Sequence, residues 1–518
     1  MLTKKEILNI LSKRVDEVLA KDLPSFNLLS DMQKATSLIL DAINNNKKIV
    51  VVGDYDVDGV SSSAIMKEFF DFIGYEIEIV IPNRFEDGYG LTPTLLNKIE
   101  ADLIITVDNG ITSFEAADIC KKRGIKLIIT DHHTPFINEN PKSKNEKFLL
   151  PNADAIINPK TSPNFPFKEI CGAEVAWYLI ASIKNNLNIK YDLRELLDIV
   201  SIAIIADVMP LLNINRTLVK IGLNRLNNSQ RPFVIALKEE LKKDSFKSED
   251  IAFQIAPRLN AAGRIDSAYL AFNFLTSKSL NQAKEYLKKL TELNNKRKEI
   301  EKISIENIKI DNEDFIIANG EFHEGVIGII ASRLVHKYKK PAIVFTKNGD
   351  KLKGSGRSLG NINIFSLIKE CEDILEGFGG HAMACGLSIK EENLQYLKDL
   401  LNKKINIYNE DDFFIKDFVL GEIKFSEIDY ELVEILNRFE PYGEGNPKPK
   451  FISKAKIESI QNIKDNHYRL TLSQDNYLLN GIIFNYDKEF SEEIEFKFSI
   501  DINNFLGNQI ELRIEEIL

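Results

Sequence analysis

The sequence predicts an α/β protein that begins with a parallel sheet, continues through a long connecting helix into a smaller α/β unit, and ends in a β-barrel. Up to residue 210, apolar β-branched runs alternate with helical segments, which is typical of a parallel sheet covered by helices. A long, highly charged segment with a narrow apolar stripe then spans residues 280–308 and predicts the connecting helix. Beyond residue 406, short alternating strands separated by turn residues indicate a small antiparallel barrel.

The first unit, residues 1–210, contains predicted strands that are apolar along nearly their whole length, which fits burial on both faces of a sheet. These strands are residues 47–53, 76–82, 101–107, 125–130 and 154–159. The predicted helices are residues 61–72, 113–123 and 195–206, and an amphipathic N-terminal helix precedes the sheet.

Three further units follow the first one along the 518-residue chain. Residues 211–307 have a helical pattern and form the predicted connector. Residues 308–406 form the smaller α/β unit, with predicted strands at 315–320 and 341–346, and residues 407–518 form the barrel.

Composition narrows the class of protein. No run of about 18 apolar residues predicts a membrane span, and the N-terminus lacks the apolar core of a secretory signal. The four cysteines have no CxxC spacing, so we expect reduced thiols in a cytoplasmic protein. The net charge of -10 argues against a broadly basic nucleic-acid-binding surface. A site built from carboxylates would carry part of that negative charge as metal ligands.

Acidic and histidine side chains follow four predicted elements at the point where each element ends. They are Asp54, Asp56 and Asp58, then Asp108, then Asp131 with His132 and His133, and finally Asp207. Because the carboxyl ends of parallel strands meet at one edge of a sheet, we expect the clusters to converge. Alternate carboxylates of an extended 54–58 segment would project to one side.

A helix N-cap is the competing explanation for Asp108 or for one member of the triplet. It does not account for three carboxylates together, which repel one another unless cations bind between them. Oxygen ligands with one or two imidazoles and no thiolates favour Mn²⁺ or Mg²⁺. Several carboxylates allow two ions that share an aspartate, a site suited to hydrolysis of phosphoesters or phosphoanhydrides.

The second half of the chain carries arginines, histidines and glycines in patterns suited to phosphate binding. Arginines make bidentate contacts to phosphate, and glycines allow a ligand to approach the backbone closely. The candidate phosphate- or DNA-binding residues are Arg258, Asn260 and Arg264 in APRLNAAGR, His323 at a predicted helix start, Ser355 and Arg357 in KGSGRS, and Gly379, Gly380 and His381 in FGGHAMACG.

The ordered motifs DYDVDG, FEDGYGL, VDNG and DHH, followed by Asp207, resemble those of the DHH phosphoesterase superfamily. The resemblance implies two divalent ions, Mn²⁺ or Mg²⁺, and a DHH-associated domain that holds the nucleotide or its phosphate. The implied metal ligands are Asp54, Asp56, Asp58, Asp108, His132 and Asp207, and the implied catalytic residues are Asp108, His132 and His133. An outer, hydrogen-bonding role for Asp54 remains the alternative, and His133 would contact the scissile phosphate or support the cluster.

The segments APRLNAAGR and PYGEGNPKP, the latter before the β-rich tail, resemble those of the exonuclease branch of this superfamily, whose tail is an OB-fold. That resemblance implies a 5′→3′ exonuclease that releases 5′-mononucleotides from single-stranded DNA in DNA repair and recombination. It also implies a cytoplasmic monomer that works with single-stranded DNA-binding protein and a RecQ-type helicase.

Two other functions remain open from the sequence. One is a phosphodiesterase of short oligoribonucleotides or cyclic dinucleotides, and such enzymes typically lack the segment from Pro441 onward. The other is an inactive DNA-replication scaffold of the same fold, which would have lost metal carboxylates that are present here.

Overall fold

A five-stranded parallel sheet forms the first unit in a computed structural model that describes residues 1–138, 147–310, 313–414, 418–503, 507 and 509–518. Its strands are β1 (Ile49–Val52), β2 (Glu78–Val80), β3 (Leu103–Val107), β4 (Lys126–Thr130) and β5 (Ala155–Ile157). They lie in the order β2-β1-β3-β4-β5, and every neighbouring pair is parallel. The predicted parallel sheet is therefore confirmed.

Helices cover both faces of this sheet, so alternate residues of each strand enter different cores. Val51 and Ile105 face one core, and Val50 and Ile104 face the other. The helices up to residue 206 are α1 (Lys4–Arg14), α2 (Met32–Asn44), α3 (Val57–Phe72), α4 (Pro93–Leu96), α5 (Phe114–Arg123), α6 (Gly172–Asn186) and α7 (Leu197–Ala206).

Helix α3 begins at Val57 and not at Ser61, because Asp56 caps it. The Asp56 carboxylate accepts hydrogen bonds from the N–H groups of Asp58 and Gly59 at 3.0 and 3.1 Å. Asp58 thus lies in the first helical turn, and the interpretation of residues 54–58 as one extended segment is wrong there. A side chain at position 59 would place its Cβ 2.5 Å from the Cβ of Asp54, so only glycine fits.

The connector consists of α8 (Asn213–Asn228), α9 (Pro232–Leu241), α10 (Ser248–Asp250), a π-helical turn (Ile251–Ile255), α11 (Ala256–Ile265), α12 (Tyr269–Leu275) and the long α13 (Leu280–Asn307). Helix α13 is the predicted connecting helix. Within it, Arg297 pairs with Glu301 at 2.9 Å, and Glu301 also accepts a hydrogen bond from Arg333 of the next unit at 2.6 Å. This ion network ties the connector to the second α/β unit.

The second α/β unit has a mixed sheet in the order β6-β7-β8-β10-β9. Its elements are β6 (Ile316–Gly320), α14 (Ile327–Tyr338), β7 (Ala342–Asn348), β8 (Lys351–Arg357), α15 (Ile364–Lys369), β9 (Leu375–His381), β10 (Ala384–Lys390) and α16 (Leu394–Lys404). The glycine-rich KGSGRS segment lies mostly in β8. A Cβ at Gly354 would lie 2.5 Å from the Phe345 ring, so glycine lets β8 pack against that ring.

The C-terminal unit is a closed barrel of five strands in the order β12-β13-β14-β16-β15, with β15 pairing back to β12. Its elements are β11 (Val419–Glu422), α17 (Tyr430–Arg438), β12 (Lys450–Lys464), β13 (His467–Gln474), β14 (Tyr477–Ile483), β15 (Glu493–Asn503) and β16 (Gln509–Ile517). Because β14 and β16 run parallel, the expectation of a wholly antiparallel barrel is wrong at that seam.

Helix α1 packs against α17 and the hydrophobic core of the C-terminal unit, although the sequence division places it in the first unit. Ile7 and Leu11 are fully buried there, and the N–H of Leu2 donates to the carbonyl of Glu422 at 2.6 Å. Arg216 of α8 is buried as well, pairs with Glu17 at 3.0 Å and donates to the Glu440 carbonyl at 2.8 Å. The barrel is thus held by both the N-terminal segment and the connector. None of the helices in the described ranges has the length and apolarity needed to span a bilayer.

Candidate metal centre

Three adjacent strands deliver the acidic clusters to one edge of the parallel sheet. Strands β1, β3 and β4 are neighbours. Asp54 lies two residues beyond β1, Asp108 directly follows β3, and Asp131 directly follows β4. Asp207, the C-cap of α7, reaches the same edge from the helical side. The sheet order thus produces the convergence that the sequence predicts.

His132 lies at the centre of this cluster. Its Nε2 is 3.2 Å from Asp108 Oδ1, 3.5 Å from Asp207 Oδ2 and 3.7 Å from Asp58 Oδ2. Three sets of potential ligand atoms each lie within 4.8 Å of one another: Asp54 with Asp56 and Asp108, Asp58 with His132 and Asp207, and Asp108 with His132 and His133. All six predicted metal ligands therefore meet in one place, and Asp108 and His132 each belong to two sets.

The charges at this edge are unbalanced without a cation. Burial, followed by the neighbouring carboxylates, raises the pKa of Asp54, Asp108 and Asp207 well above the usual range. Asp108 Oδ1 and Asp207 Oδ2 are buried and accept no hydrogen bond from any described residue. Buried carboxylate oxygens without donors are rare in proteins, and a divalent cation would satisfy them. The donor set therefore fits Mn²⁺ or Mg²⁺.

The N-terminus of α6 forms the floor of the cluster. The Gly172 and Ala173 N–H groups donate to the two oxygens of Asp58 at 2.6 and 2.8 Å. A Cβ at Gly172 would lie 2.4 Å from the Cβ of Asp108, so glycine lets the helix approach two predicted ligands at once. The free N–H groups of a helix start favour a neighbouring carboxylate, and these two hydrogen bonds fix the orientation of the Asp58 side chain.

The two histidines have opposite electrostatic environments. Burial, then His133, lowers the pKa of His132 to about 4, so His132 is a neutral imidazole suited to metal ligation. Burial alone would also lower the pKa of His133, but Asp131, 2.7 Å from His133 Nδ1, outweighs burial and raises that pKa to about 9. In return, His133 outweighs burial at Asp131 and lowers the pKa of this carboxyl to about 2. Asp131 therefore holds His133 as a cation.

The predicted phosphate residues divide into those near the metal centre and those away from it. Burial, then the charges of Arg84 and Arg357, lowers the pKa of Arg264 to about 10, and we call these three residues the arginine cluster. Arg357 donates to Ser355 Oγ at 3.1 Å beside Gly328, where a Cβ would lie 2.9 Å from the guanidinium. Asn260 accepts a hydrogen bond from the Val57 N–H at 3.3 Å, at the start of α3.

The other predicted phosphate-binding residues, Arg258, His323, Gly379, Gly380 and His381, make different contacts. Arg258 donates to Thr291 of α13 and to the Gln254 carbonyl, so its contacts face the connector. His323 caps the short turn before α14 and packs its ring 5.6 Å from Phe85. His381 lies at the end of β9, paired with Ala384, and burial, then the charges of Lys160 and His133, lowers its pKa. Gly379 borders open space, and Gly380 has a φ of +146° that favours glycine.

Sequence reasoning missed three residues beside the centre. The Arg84 guanidinium lies 5.1 Å from the centre of the Tyr55 ring. The Tyr89 hydroxyl is 3.4 Å from the ring nitrogens of His133. Lys160 donates to Thr134 Oγ1 at 3.1 Å, just beyond the histidine pair. The signal for two of them was available, because Tyr89 lies in the FEDGYGL motif and Arg84 directly precedes it.

A parallel sheet with this acidic edge, joined through a helical connector to a smaller α/β unit, defines a DHH phosphoesterase. The chain matches the family models of the DHH family N-terminal domain at residues 48–204, the DHHA1 domain at 312–406 and the RecJ OB domain at 421–516. The chain belongs to the RecJ family.

Relatives match along most of the chain. The single-stranded-DNA-specific exonuclease RecJ of Haemophilus influenzae is 33% identical over 96% of this chain and 92% of that protein. RecJ of Dickeya dadantii is 32% identical over the same shares, 96% and 92%. The crystal structure of Thermus thermophilus RecJ in complex with Mn²⁺ has a TM-score of 0.81 and 27% identity, covering 95% of this chain and 72% of that chain.

Proposed function

We propose that this protein is a metal-dependent exonuclease that degrades single-stranded DNA in the 5′→3′ direction and releases 5′-mononucleotides, in DNA repair and recombination. The observation that carries the proposal is the convergence of six acidic and histidine ligands, with Arg84 and the α11 residues that precede Arg264 packed against Tyr55 beside them. It is supported by matches to all three domain families and by relatives named single-stranded-DNA-specific exonucleases.

In this proposal, Asp54, Asp56, Asp58, Asp108, His132 and Asp207 hold two divalent ions, Mn²⁺ or Mg²⁺. When bound, such a pair of ions supplies an activated water and offsets the charge that develops on the phosphodiester. Asp108 lies within reach of Asp54 and Asp56 on one side and of His132 on the other, so it would stand at the centre of the ligand set. An outer role for Asp54 remains the alternative, because one of its oxygens accepts the Tyr55 N–H at 2.7 Å.

The remaining residues would bind and orient the substrate. His133, kept cationic by Asp131, would donate to the scissile phosphate, with the Tyr89 hydroxyl beside it. Arg84, Arg264 and Arg357, with Ser355, would hold the terminal 5′ phosphate, since clustered guanidinium groups favour an anion. Capture of a 5′ phosphate next to the metal centre would account for the proposed polarity.

Metal binding should be strongly pH-dependent, because the ligands bind metal only when deprotonated. The raised pKa values of Asp54, Asp108 and Asp207 mean that the free protein retains protons there that an ion must displace. We expect the apparent dissociation constant for Mn²⁺ to fall as pH rises from about 6 to 8, with net proton release. Calorimetric titration in buffers of different ionisation enthalpy measures both quantities. A pH-independent affinity without proton release would contradict this electrostatic account.

The activity itself is tested with single-stranded DNA labelled at either end, incubated with Mn²⁺ beside a matched duplex. Immediate release of a labelled mononucleotide from 5′-labelled single strands alone supports the proposal. Release first from the 3′ label would overturn the polarity, and equal digestion of duplex would overturn the strand specificity. Rapid hydrolysis of dinucleotides without digestion of longer DNA would favour the small-nucleotide phosphodiesterase instead.

No specific observation favours either of the two alternative functions. The closed C-terminal barrel argues against a small-nucleotide phosphodiesterase, and the complete ligand set argues against an inactive scaffold. On family resemblance alone, we also propose that the protein is a cytoplasmic monomer that works with single-stranded DNA-binding protein and a RecQ-type helicase.

A further inference from the structure

A fully buried carboxyl, that of Glu174, lies beside the metal centre without belonging to any of the three ligand sets. It is in the first turn of α6, directly after Ala173, whose N–H donates to Asp58. A carboxyl that is removed from water costs free energy unless hydrogen bonds compensate for it. The contacts of Glu174 therefore indicate why a carboxyl lies at this position.

Glu174 caps the start of α6 from inside the helix. Its Oε2 accepts a hydrogen bond at 2.8 Å from the N–H of Cys171, the N-cap residue. This is the return contact of a capping box, in which the third helical residue reaches back to the cap. Helix starts favour Ser, Thr, Asp or Asn as the cap, and a cysteine thiol is a weaker acceptor than their oxygens. Glu174 thus supplies a strong oxygen acceptor to a helix start whose cap residue is a poor one.

The same turn of α6 contacts two of the proposed metal ligands. The N–H groups of Gly172 and Ala173 donate to the two oxygens of Asp58 at 2.6 and 2.8 Å. A Cβ at Gly172 would lie 2.4 Å from the Cβ of Asp108, so the turn also forms the wall behind that carboxylate. Because protein interiors are closely packed, a displacement of this turn is transmitted to both ligands.

Glu174 fixes this turn without adding negative charge to the site. Burial raises the pKa of Glu174 to about 8, against the effect of the hydrogen bond from Cys171, so the carboxyl is mostly protonated at neutral pH. Its Oε1 is buried and has no hydrogen-bond partner among the described residues, which costs a neutral carboxyl less than a carboxylate. A neutral acid still accepts the Cys171 N–H, but it does not compete with the ligand set for a cation.

We propose that Glu174 is a positioning residue for the metal centre: by fixing the first turn of α6, it holds Asp58 and Asp108 where they bind the ions. This inference rests on the proposed ligand set and adds a residue behind it. Hydrogen-bonding partners that orient metal ligands commonly account for about 10- to 100-fold in metal affinity. Loss of the Glu174 acceptor should therefore weaken metal binding, although Glu174 lies outside the ligand sets.

The test compares Glu174→Met, which fills a similar volume without an acceptor, with Glu174→Gln, which keeps the acceptor oxygen. Electron paramagnetic resonance of free Mn²⁺ measures the dissociation constant for the ion in each protein. We expect Glu174→Met to raise this constant by about 10- to 100-fold and Glu174→Gln to stay within about threefold of the wild type. The exonuclease activity of Glu174→Met should return as the Mn²⁺ concentration is raised, which a general loss of folding would not allow.

Glu6→Met is the matched control. Glu6 makes the same return contact in α1, where it accepts the Thr3 N–H at 2.8 Å, and α1 packs on the C-terminal unit instead of the metal centre. Its loss should leave the dissociation constant for Mn²⁺ unchanged.

Three outcomes would overturn the proposal. Wild-type Mn²⁺ affinity in Glu174→Met, with a lower free energy of unfolding, would show that Glu174 is only a helix cap. Binding weakened by about tenfold or more in Glu174→Gln would exclude the acceptor as the cause, and this result can be read even if Glu174→Met does not fold. Mn²⁺ binding that Asp58→Asn leaves unchanged would instead overturn the proposed ligand set, and the positioning role with it.

Discussion

Replacing Asp108 by asparagine should lower the rate of single-strand digestion by at least about 1,000-fold while stabilising the metal-free protein. Asp108 belongs to two ligand sets, and its Oδ1 is buried without a donor. Asparagine removes the charge that the ions need, yet it also removes the cost of burying a carboxyl beside Asp58, Asp56 and Asp54, which the metal-free protein meets by retaining a proton. Because Asp108 has a φ of +63°, asparagine, which tolerates this conformation and keeps the side-chain shape, adds little backbone strain.

The two effects are measured separately. Steady-state kinetics with Mn²⁺ gives the activity, and urea unfolding in EDTA should show a gain of about 1–2 kcal/mol in the free energy of unfolding. Asp118→Asn on the exposed side of α5 is the control and should change neither quantity. A destabilised metal-free Asp108→Asn protein would mean that this carboxylate has a structural role instead.

The sequence predicts the sheet and its acidic edge well, because both depend on local patterns. Three apolar strands, β1, β3 and β4, are followed within two residues by an acidic or histidine cluster, and the parallel arrangement brings Asp54, Asp108 and His132 together. Asp58 shows the limit of this reasoning. Whether residues 54–58 are extended or helical depends on the cap that Asp56 forms and on the donors that α6 supplies from 114 residues away.

The parts that were not predicted depend on contacts between distant segments. Helix α1 is amphipathic in the sequence, but nothing local indicates that its apolar face packs in a barrel more than 400 residues away. Arg258 and Arg264 occur in one motif and appear equivalent there. On α11 they point apart, Arg258 towards α13 and Arg264 towards the arginine cluster. Arg84 enters that cluster only because the loop after β2 folds back over Tyr55.

Replacing Arg357 by methionine should lower kcat/KM by about 100-fold on 5′-phosphorylated strands and much less on 5′-hydroxyl strands. Arg357 donates to Ser355 beside Gly328, and its charge lies close to Arg84 and Arg264 without a carboxylate partner among the described residues. A terminal phosphate would relieve this repulsion. Removing the phosphate from the strand and removing Arg357 from the protein therefore eliminate the same interaction, so each should lower kcat/KM by nearly the same factor. The measurement is kcat/KM of the wild-type and Arg357→Met proteins on 5′-phosphorylated and 5′-hydroxyl strands.

The control for Arg357 lies on the same strand. Lys351 is six residues earlier in β8 and pairs with Glu376 at 2.8 Å, so Lys351→Met removes a cation from β8 without touching the arginine cluster. It should leave the preference for 5′-phosphorylated strands unchanged.

Sulfate should also raise the unfolding temperature of the wild-type protein more than that of Arg357→Met, because a bound anion stabilises the folded state by mass action. An equal loss on both kinds of strand would show that Arg357 binds the DNA backbone elsewhere, and capture of the 5′ phosphate by the arginine cluster would no longer account for the polarity.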